Sequence, residues 1–201
     1  MSNPHDKLIA AAARELLEPI GFRRKGRSRV WIADRGWWLK LVEFQPSGWA
    51  KGSYLNVAAH WLWVDQDYLS FDYSARVEGF VEYVSDIQFK PEAVRLAKAA
   101  AQEAQRLGQI FLTIEAAATV LAATECEIRK EAKGSWTAYH AGIAMGLSGR
   151  IEEAATLFHS IRDVRVRPIA ARMAKLLNDP IAFRRAADDL IAAHRQTLGI
   201  A

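Results

Sequence analysis

The chain is short of the residues that carry the commonest site chemistries. It has one cysteine, Cys126, so no internal disulfide can form, and a reducing, cytoplasmic setting is the expectation. The opening Met1-Ser2-Asn3-Pro4-His5-Asp6 lacks the basic region and apolar run of a secretory signal. No apolar run approaches the roughly 20 residues needed to cross a bilayer. The most apolar stretch, Ile110–Ala123, contains Glu115 and reads as a buried helix, so no membrane partner is expected. The five histidines, His5, His60, His140, His159 and His194, include no pair three or four residues apart, and Cys-x-x-Cys is absent. Metal-ligand spacing is therefore missing. Gly-x-Gly-x-x-Gly and the phosphate-loop pattern are missing too, and no cofactor of any kind is expected. Cys126, between Glu125 and Glu127, reads as a structural or incidental thiol.

What is present is ordinary globular material: 51% hydrophobic, 25% charged, formal net charge +4, without the bias of a disordered or fibrous chain. Asn3-Pro4 reads as a helix start, with Asn3 as N-cap and proline at N1. Leu8, Ile9, Ala12, Ala13, Leu16 and Leu17 recur at helical spacing until Pro19 and Gly21. Strand signals follow over 29–33, 37–45, 53–64 and 71–83, separated by Asp34-Arg35-Gly36, Pro46-Ser47-Gly48 and a longer link. Leu55, Val57, Ala59, Trp61 and Trp63 alternate on one face of the third. In the fourth, Phe71 to Tyr83 alternates with Asp72, Ser74, Arg76, Glu78 and Glu82. Period two with one wet face and short connections predicts an antiparallel sheet. After Lys90-Pro91 the period becomes helical. Helices are predicted over 92–107, 110–124, 135–147, 151–161, 168–177 and 180–198, with Asp179 as N-cap of the last and 130–134 as a flexible joint.

Gly21-Phe22-Arg23-Arg24-Lys25-Gly26-Arg27, Trp38, Val42-Glu43-Phe44-Gln45-Pro46-Ser47 and Gly52 to Asn56-Val57 resemble a bacterial family of unknown function, domain-of-unknown-function family four-three-zero-four, over residues 5–85. That resemblance implies a helix leading through a glycine–aromatic–basic turn into a sheet, and no activity. Trp136, Tyr139, Gly142, Ala144, Gly149-Arg150, Glu153-Ala154, Phe158 and Pro168 resemble one tetratricopeptide-type helical hairpin over 136–168. A lone unit of this kind needs neighbours to be stable, which implies a hairpin inside a bundle.

Four groups of residues are candidate sites. Arg23, Arg24, Lys25, Arg27 and Arg29 can grip phosphates, with Trp31, Trp37, Trp38 or Trp49 available for stacking. Against that stands a solvated turn paired with Asp65, Asp67, Asp72 or Glu78, and this plain reading is the one expected. Of seven tryptophans, six lie between residues 31 and 63. Most are expected in the core, with Trp49 in a turn where it can anchor a ligand. Glu43 and Gln45 share one strand face, as do Asn56 and His60. Brought together they make either a satisfied hydrogen-bond network or a Glu43–His60 acid–base pair. The fourth is the helical surface itself, suited to a protein partner.

The expected fold is α+β: an N-terminal helix on an antiparallel sheet of about four strands, then a C-terminal array of antiparallel helical hairpins, with domains at 1–88 and 89–201. The leading functional expectation is a non-catalytic bacterial binding or adaptor protein with a protein partner. Binding candidates are Arg23, Arg24, Lys25, Arg27, Gln45, Trp49, Asn56 and His60. A nucleic-acid-binding accessory protein using 23–29 is the alternative, and a small enzyme built on Glu43 and His60 a further one.

Overall fold

Alternation and turn chemistry are realised as a five-stranded meander. A computed structural model describes residues 4–200 and, within them, the side chains of all but residues 74 and 75. Helix α1 spans Pro4–Leu17 and buries Ile9, Ala12, Ala13 and Leu17, the periodic positions. The expected N-cap, Asn3, lies outside the described residues. A 3₁₀ turn, Glu18–Ile20, contains Pro19 and is stopped by Gly21 at φ 88°, a left-handed conformation that glycine adopts without the Cβ clash.

The strands are β1 (Arg23–Arg24), β2 (Val30–Asp34), β3 (Trp38–Gln45), β4 (Gly52–Trp61) and β5 (Tyr73–Glu82), in spatial order β1-β2-β3-β4-β5. The sheet is antiparallel, as the period and short turns require. One strand was not expected: the first residues of the basic turn are an edge strand, Arg23 opposite Ile32 and Arg24 opposite Trp31. The expected wet face is also narrower than the alternation suggests. Trp38, Leu39, Leu41, Val42 and Phe44 of β3 are buried on both sides, as are all residues from Val57 to Trp61 of β4. The clean alternation of β5 is interrupted by register shifts against β4. Between Ser53↔Val81, Leu55↔Glu78 and Asn56↔Arg76, β5 advances one residue more than β4 at each step, which is a bulge.

Helix α2 runs Asp86–Ile110 and starts six residues before the expected Glu92. Ser85 supplies the start signal: its carbonyl accepts from Phe89 N–H (2.9 Å) and its hydroxyl from Gln88 N–H (3.2 Å). Pro91 sits inside the helix rather than before it. The carbonyl its missing N–H leaves free belongs to Ile87, which is exposed, so water can satisfy it. The buried face of α2 is largely alanine (Ala93, Ala97, Ala100, Ala104), with Phe89, Leu96 and Leu107.

The remaining helices are α3 (Ile114–Glu127), α4 (Trp136–Leu147), α5 (Ile151–Ser160), α6 (Arg167–Ala174) and α7 (Pro180–Leu198). Thr113 caps α3 and Asp179 caps α7, each side chain accepting from backbone N–H groups one turn in. The expected joint at 130–134 is tied down at its end. Gly134 N–H donates to Glu125 (2.8 Å), and Gly134 O accepts from Arg162 and Asp163.

Two compact units result, and neither coincides with the expected 88/89 division. The sheet unit comprises the chain up to His60 plus Leu69–Gly108; the helical unit comprises Trp61–Tyr68 plus Gln109 onward. Residue 88 lies in the first turn of α2, which belongs with the sheet.

In the helical unit α4 is buried from Ala138 to Leu147. Two glycines make that possible. A Cβ on Gly142 would meet Phe158 Cε1 of α5 at 2.6 Å, and one on Gly146 would meet Phe183 Cζ of α7 at 2.4 Å. The Trp61–Val64 segment is buried in the same unit. Trp63 Nε1–H donates to His140 Nδ1 (3.1 Å), Tyr139 O–H donates to Trp63 O (3.1 Å), and His194 Nδ1 lies 3.3 Å from Leu62 O. Trp61 stacks on Trp63 and meets Phe111 edge-on.

Candidate functional site

Register brings part of the expected polar cluster together. Asn56 on β4 donates from Nδ2 to Glu43 Oε2 (2.9 Å) and Gln45 Oε1 (3.0 Å) on β3. Arg76 of β5 donates to the same Gln45 oxygen at 2.7 Å. Its guanidinium lies 4.1 Å above the Tyr54 ring, a cation–π contact. Both amide hydrogens of Asn56 have acceptors, so this half-buried group is a hydrogen-bonded network spanning three strands. Arg76 and Tyr54 were not predicted members. The bulges in β5 set which of its residues face Gln45, and no local pattern announces them.

His60 belongs elsewhere. It is fully buried on β4. Its Nδ1 accepts from Ser70 N–H (3.2 Å) and lies 3.0 Å from Ser70 Oγ and 3.2 Å from Asp72 Oδ2. The alternative Glu43–His60 pair is therefore not assembled: Glu43 is bound by Asn56, and His60 by Ser70 and Asp72 in the segment just before β5. Serine, histidine and aspartate are all present, yet the arrangement is not a relay. A relay needs the hydroxyl on one ring nitrogen and the carboxylate on the other, and here both converge on Nδ1. The contacts instead join the two ends of the excursion Trp61–Tyr68, aided by Asp72 N–H donating to Ala59 O (3.1 Å).

The basic residues differ from expectation in their partners. Arg29 pairs with Asp6 of α1 and donates to Gly52 O at 3.1 Å. Arg24 turns back on its own loop, bonding Ser28 O (2.6 Å) and Arg27 O (3.0 Å). Of the acids proposed as partners, Asp72 lies against His60, Glu78 pairs with Arg95 at 2.7 Å, and Asp65 lines a groove of the helical unit. Among the described residues no carboxylate pairs with Arg23, Arg24, Lys25 or Arg27. Trp49 is 99% exposed in the β3–β4 turn, whereas Trp31, Trp38, Trp61 and Trp63 are core and Trp37 is half-buried against Trp38.

The helical unit carries two open grooves, one on each side of α6. The first, about 400 Å³, has Ile169, Met173, Leu176 and Leu190 along it and Tyr139 of α4 at its base, with Asp65, Arg172 and Asp189 as its charged members. Burial pushes the Tyr139 phenol well above its usual range, so it is a neutral donor, already committed to Trp63 O. The second groove, about 430 Å³, lies between α5 and α6. Sequence reading placed the helices but could not see these grooves, because each is a gap between helices rather than a property of one. Beside the second, Asp163 is held far below the usual carboxylate range by Arg165, with further hydrogen bonds from Ser135 and the Arg165 N–H.

Among the described residues no group of three or more histidine, cysteine or acidic side chains is placed to hold a metal, and no single helix is long and apolar enough to cross a membrane. The class defined by these features is an α+β protein with a hydrogen-bonded sheet unit and an open-grooved helical unit. No family model, no curated protein and no solved structure matches the chain.

Proposed function

We propose that this is a non-catalytic binding protein: the sheet unit is a scaffold and the helical unit offers its surface to a protein partner. The observation that supports this reading is the exposure of α6, which buries only Ala170 and Met173 and has an open groove along each flank. Concave, largely apolar surfaces with a few polar groups are where ligands are taken up. The test is affinity capture from the native host, with the wild-type chain and a Leu190→Asp variant in parallel. Leu190 is half-buried in the first groove, so a charge there should abolish capture of a genuine partner. A captured set identical for both chains would remove the groove from the interface.

A second reading, a nucleic-acid-binding accessory protein, gains support from one observation: the exposed cations at 23–27 lack carboxylate partners. Anisotropy titration with single- and double-stranded DNA and RNA at about 50 and 200 mM salt tests it, because phosphate contacts weaken steeply with salt. The Arg23→Ala/Arg24→Ala/Lys25→Ala variant should flatten that slope. Absence of binding at the lower salt would retire this reading.

A further inference from the structure

The groove between α5 and α6 is charged in one sense only. His159 on α5, Arg167 at the start of α6 and Lys175, the C-cap of α6, line it, over a floor that includes Phe158 and Ile161 with Ala171 beside them, and no carboxylate contributes. All three charged or chargeable side chains are exposed, and among the described residues none of them is in an ion pair. The nearby acid, Asp163, is occupied by Arg165 and Ser135.

Arg167 does not earn its place by stabilising its helix. It is the first residue of α6, whose opening turn holds no acidic residue, and positive charge at a helix N-terminus is disfavoured by the macrodipole. His159 is already oriented: its Nδ1 lies 2.7 Å from Ala155 O. A carbonyl only accepts, so Nδ1 carries the proton and this bond holds the ring in place beside the groove.

Spacing selects the kind of anion. Arg167 and Lys175 are eight residues apart on a helical backbone, about 12 Å at 1.5 Å per residue. An extended peptide covers about 13 Å in four residues, and its residues i, i+2 and i+4 share one face. An acid at i and another at i+4 would each meet a cation, while the side chain at i+2 falls on the apolar floor between them. A phosphodiester strand has a charge on every unit, so a further negative charge falls between two at that spacing.

We infer that this groove binds an extended acidic segment of a partner protein with the pattern acid–x–apolar–x–acid. This rests on the reading of the helical unit as a protein-binding surface and names the chemistry of what it takes.

The test uses the full chain and a fluorescein-labelled Gly/Ser peptide carrying Asp, then Leu two residues on, then Asp four residues on. Saturable binding is expected. Arg167→Glu/Lys175→Glu should weaken it about tenfold or more, since charges of the wrong sign then face the ligand. Leu→Ser in the peptide should weaken it as well, and a peptide with Lys in place of both Asp should prefer the charge-reversed protein. Glutamate at the first position of α6 suits the helix dipole, so the variant should fold, which circular dichroism checks; Lys175→Ala is the milder second variant. Equal affinity for wild-type and charge-reversed chains overturns the proposal, as does indifference to Leu→Ser. An oligothymidine that binds with the same dependence on Arg167 and Lys175, where the peptide fails, reassigns the groove to phosphodiesters. Should the peptide fail while capture sensitive to Leu190→Asp persists, this inference falls and the binding-protein reading stands.

Discussion

His5 shows how one residue reports its surroundings. It is 3% exposed, packed 5.3 Å from the Tyr83 ring and edge-on to Phe89. Burial pushes its pKa below the ordinary 6.5, and the positive charges of Arg29 and Lys51 add to that, against a smaller opposing pull from Asp6. A histidine with a depressed folded pKa is neutral in the fold where it would be protonated in the unfolded chain. The unfolded state then binds more protons, so stability is complete above the unfolded value and declines as pH falls through the window below it. Thermal melts should therefore shift to lower temperature as pH drops from about 7 to 5, and His5→Gln should blunt the decline over that range. An unaltered pH profile in the variant would mean that His5 is not the group responsible.

At the scale of elements, the α4–α5 pair depends on a close approach. Gly142 is placed where a Cβ would lie 2.6 Å from Phe158 Cε1, and Tyr139 packs on the same phenyl ring at 6.2 Å. The chain reverses through Gly149 at φ 82°, with Arg150 N–H donating to Met145 O at 2.9 Å. Gly142→Leu should overpack this contact and lower stability by about 1–3 kcal/mol, read by urea unfolding with an unchanged slope. A variant as stable as the parent would show that Phe158 yields freely. The same scale separates the two kinds of basic residue. Arg29 is absorbed by Asp6 and backbone carbonyls, while Arg23, Lys25 and Arg27 are exposed around an edge strand.

For the whole molecule, the division into units cuts across chain order. The helical unit includes Trp61–Tyr68, so a fragment beginning at residue 109 lacks part of its own core. It would leave Tyr139 Oη, His140 Nδ1 and His194 Nδ1 without their contacts to Leu62 and Trp63, at about 0.5–1.5 kcal/mol for each hydrogen bond lost. Loss of a buried tryptophan costs about 3–5 kcal/mol more. Set against a total stability of about 5–15 kcal/mol, this predicts that residues 109–201 alone lack a cooperative melt and a dispersed amide spectrum. Fusing 61–68 to the fragment should recover part of both. A well-folded 109–201 would mean that the inserted segment is dispensable.

The sequence by itself determined the elements and their type. Period-two runs, turn residues and helical apolar spacing are local properties, and they located α1, the four long strands and most helices, with Asp179 and Gly149 marking an end and a turn. It also marked Gly142 and Phe158, through the resemblance of 136–168 to a tetratricopeptide-type hairpin. Tertiary structure alone decided three things. The bulges in β5 chose Arg76 as a partner of Gln45. The connection after β4 left the sheet unit and joined the helical one, which tied His60 to Ser70 and Asp72 instead of Glu43. The grooves beside α6 arose from helices separated in the chain. Each depends on which distant surfaces meet, and side-chain burial and hydrogen-bond satisfaction are settled there, beyond the reach of any local period.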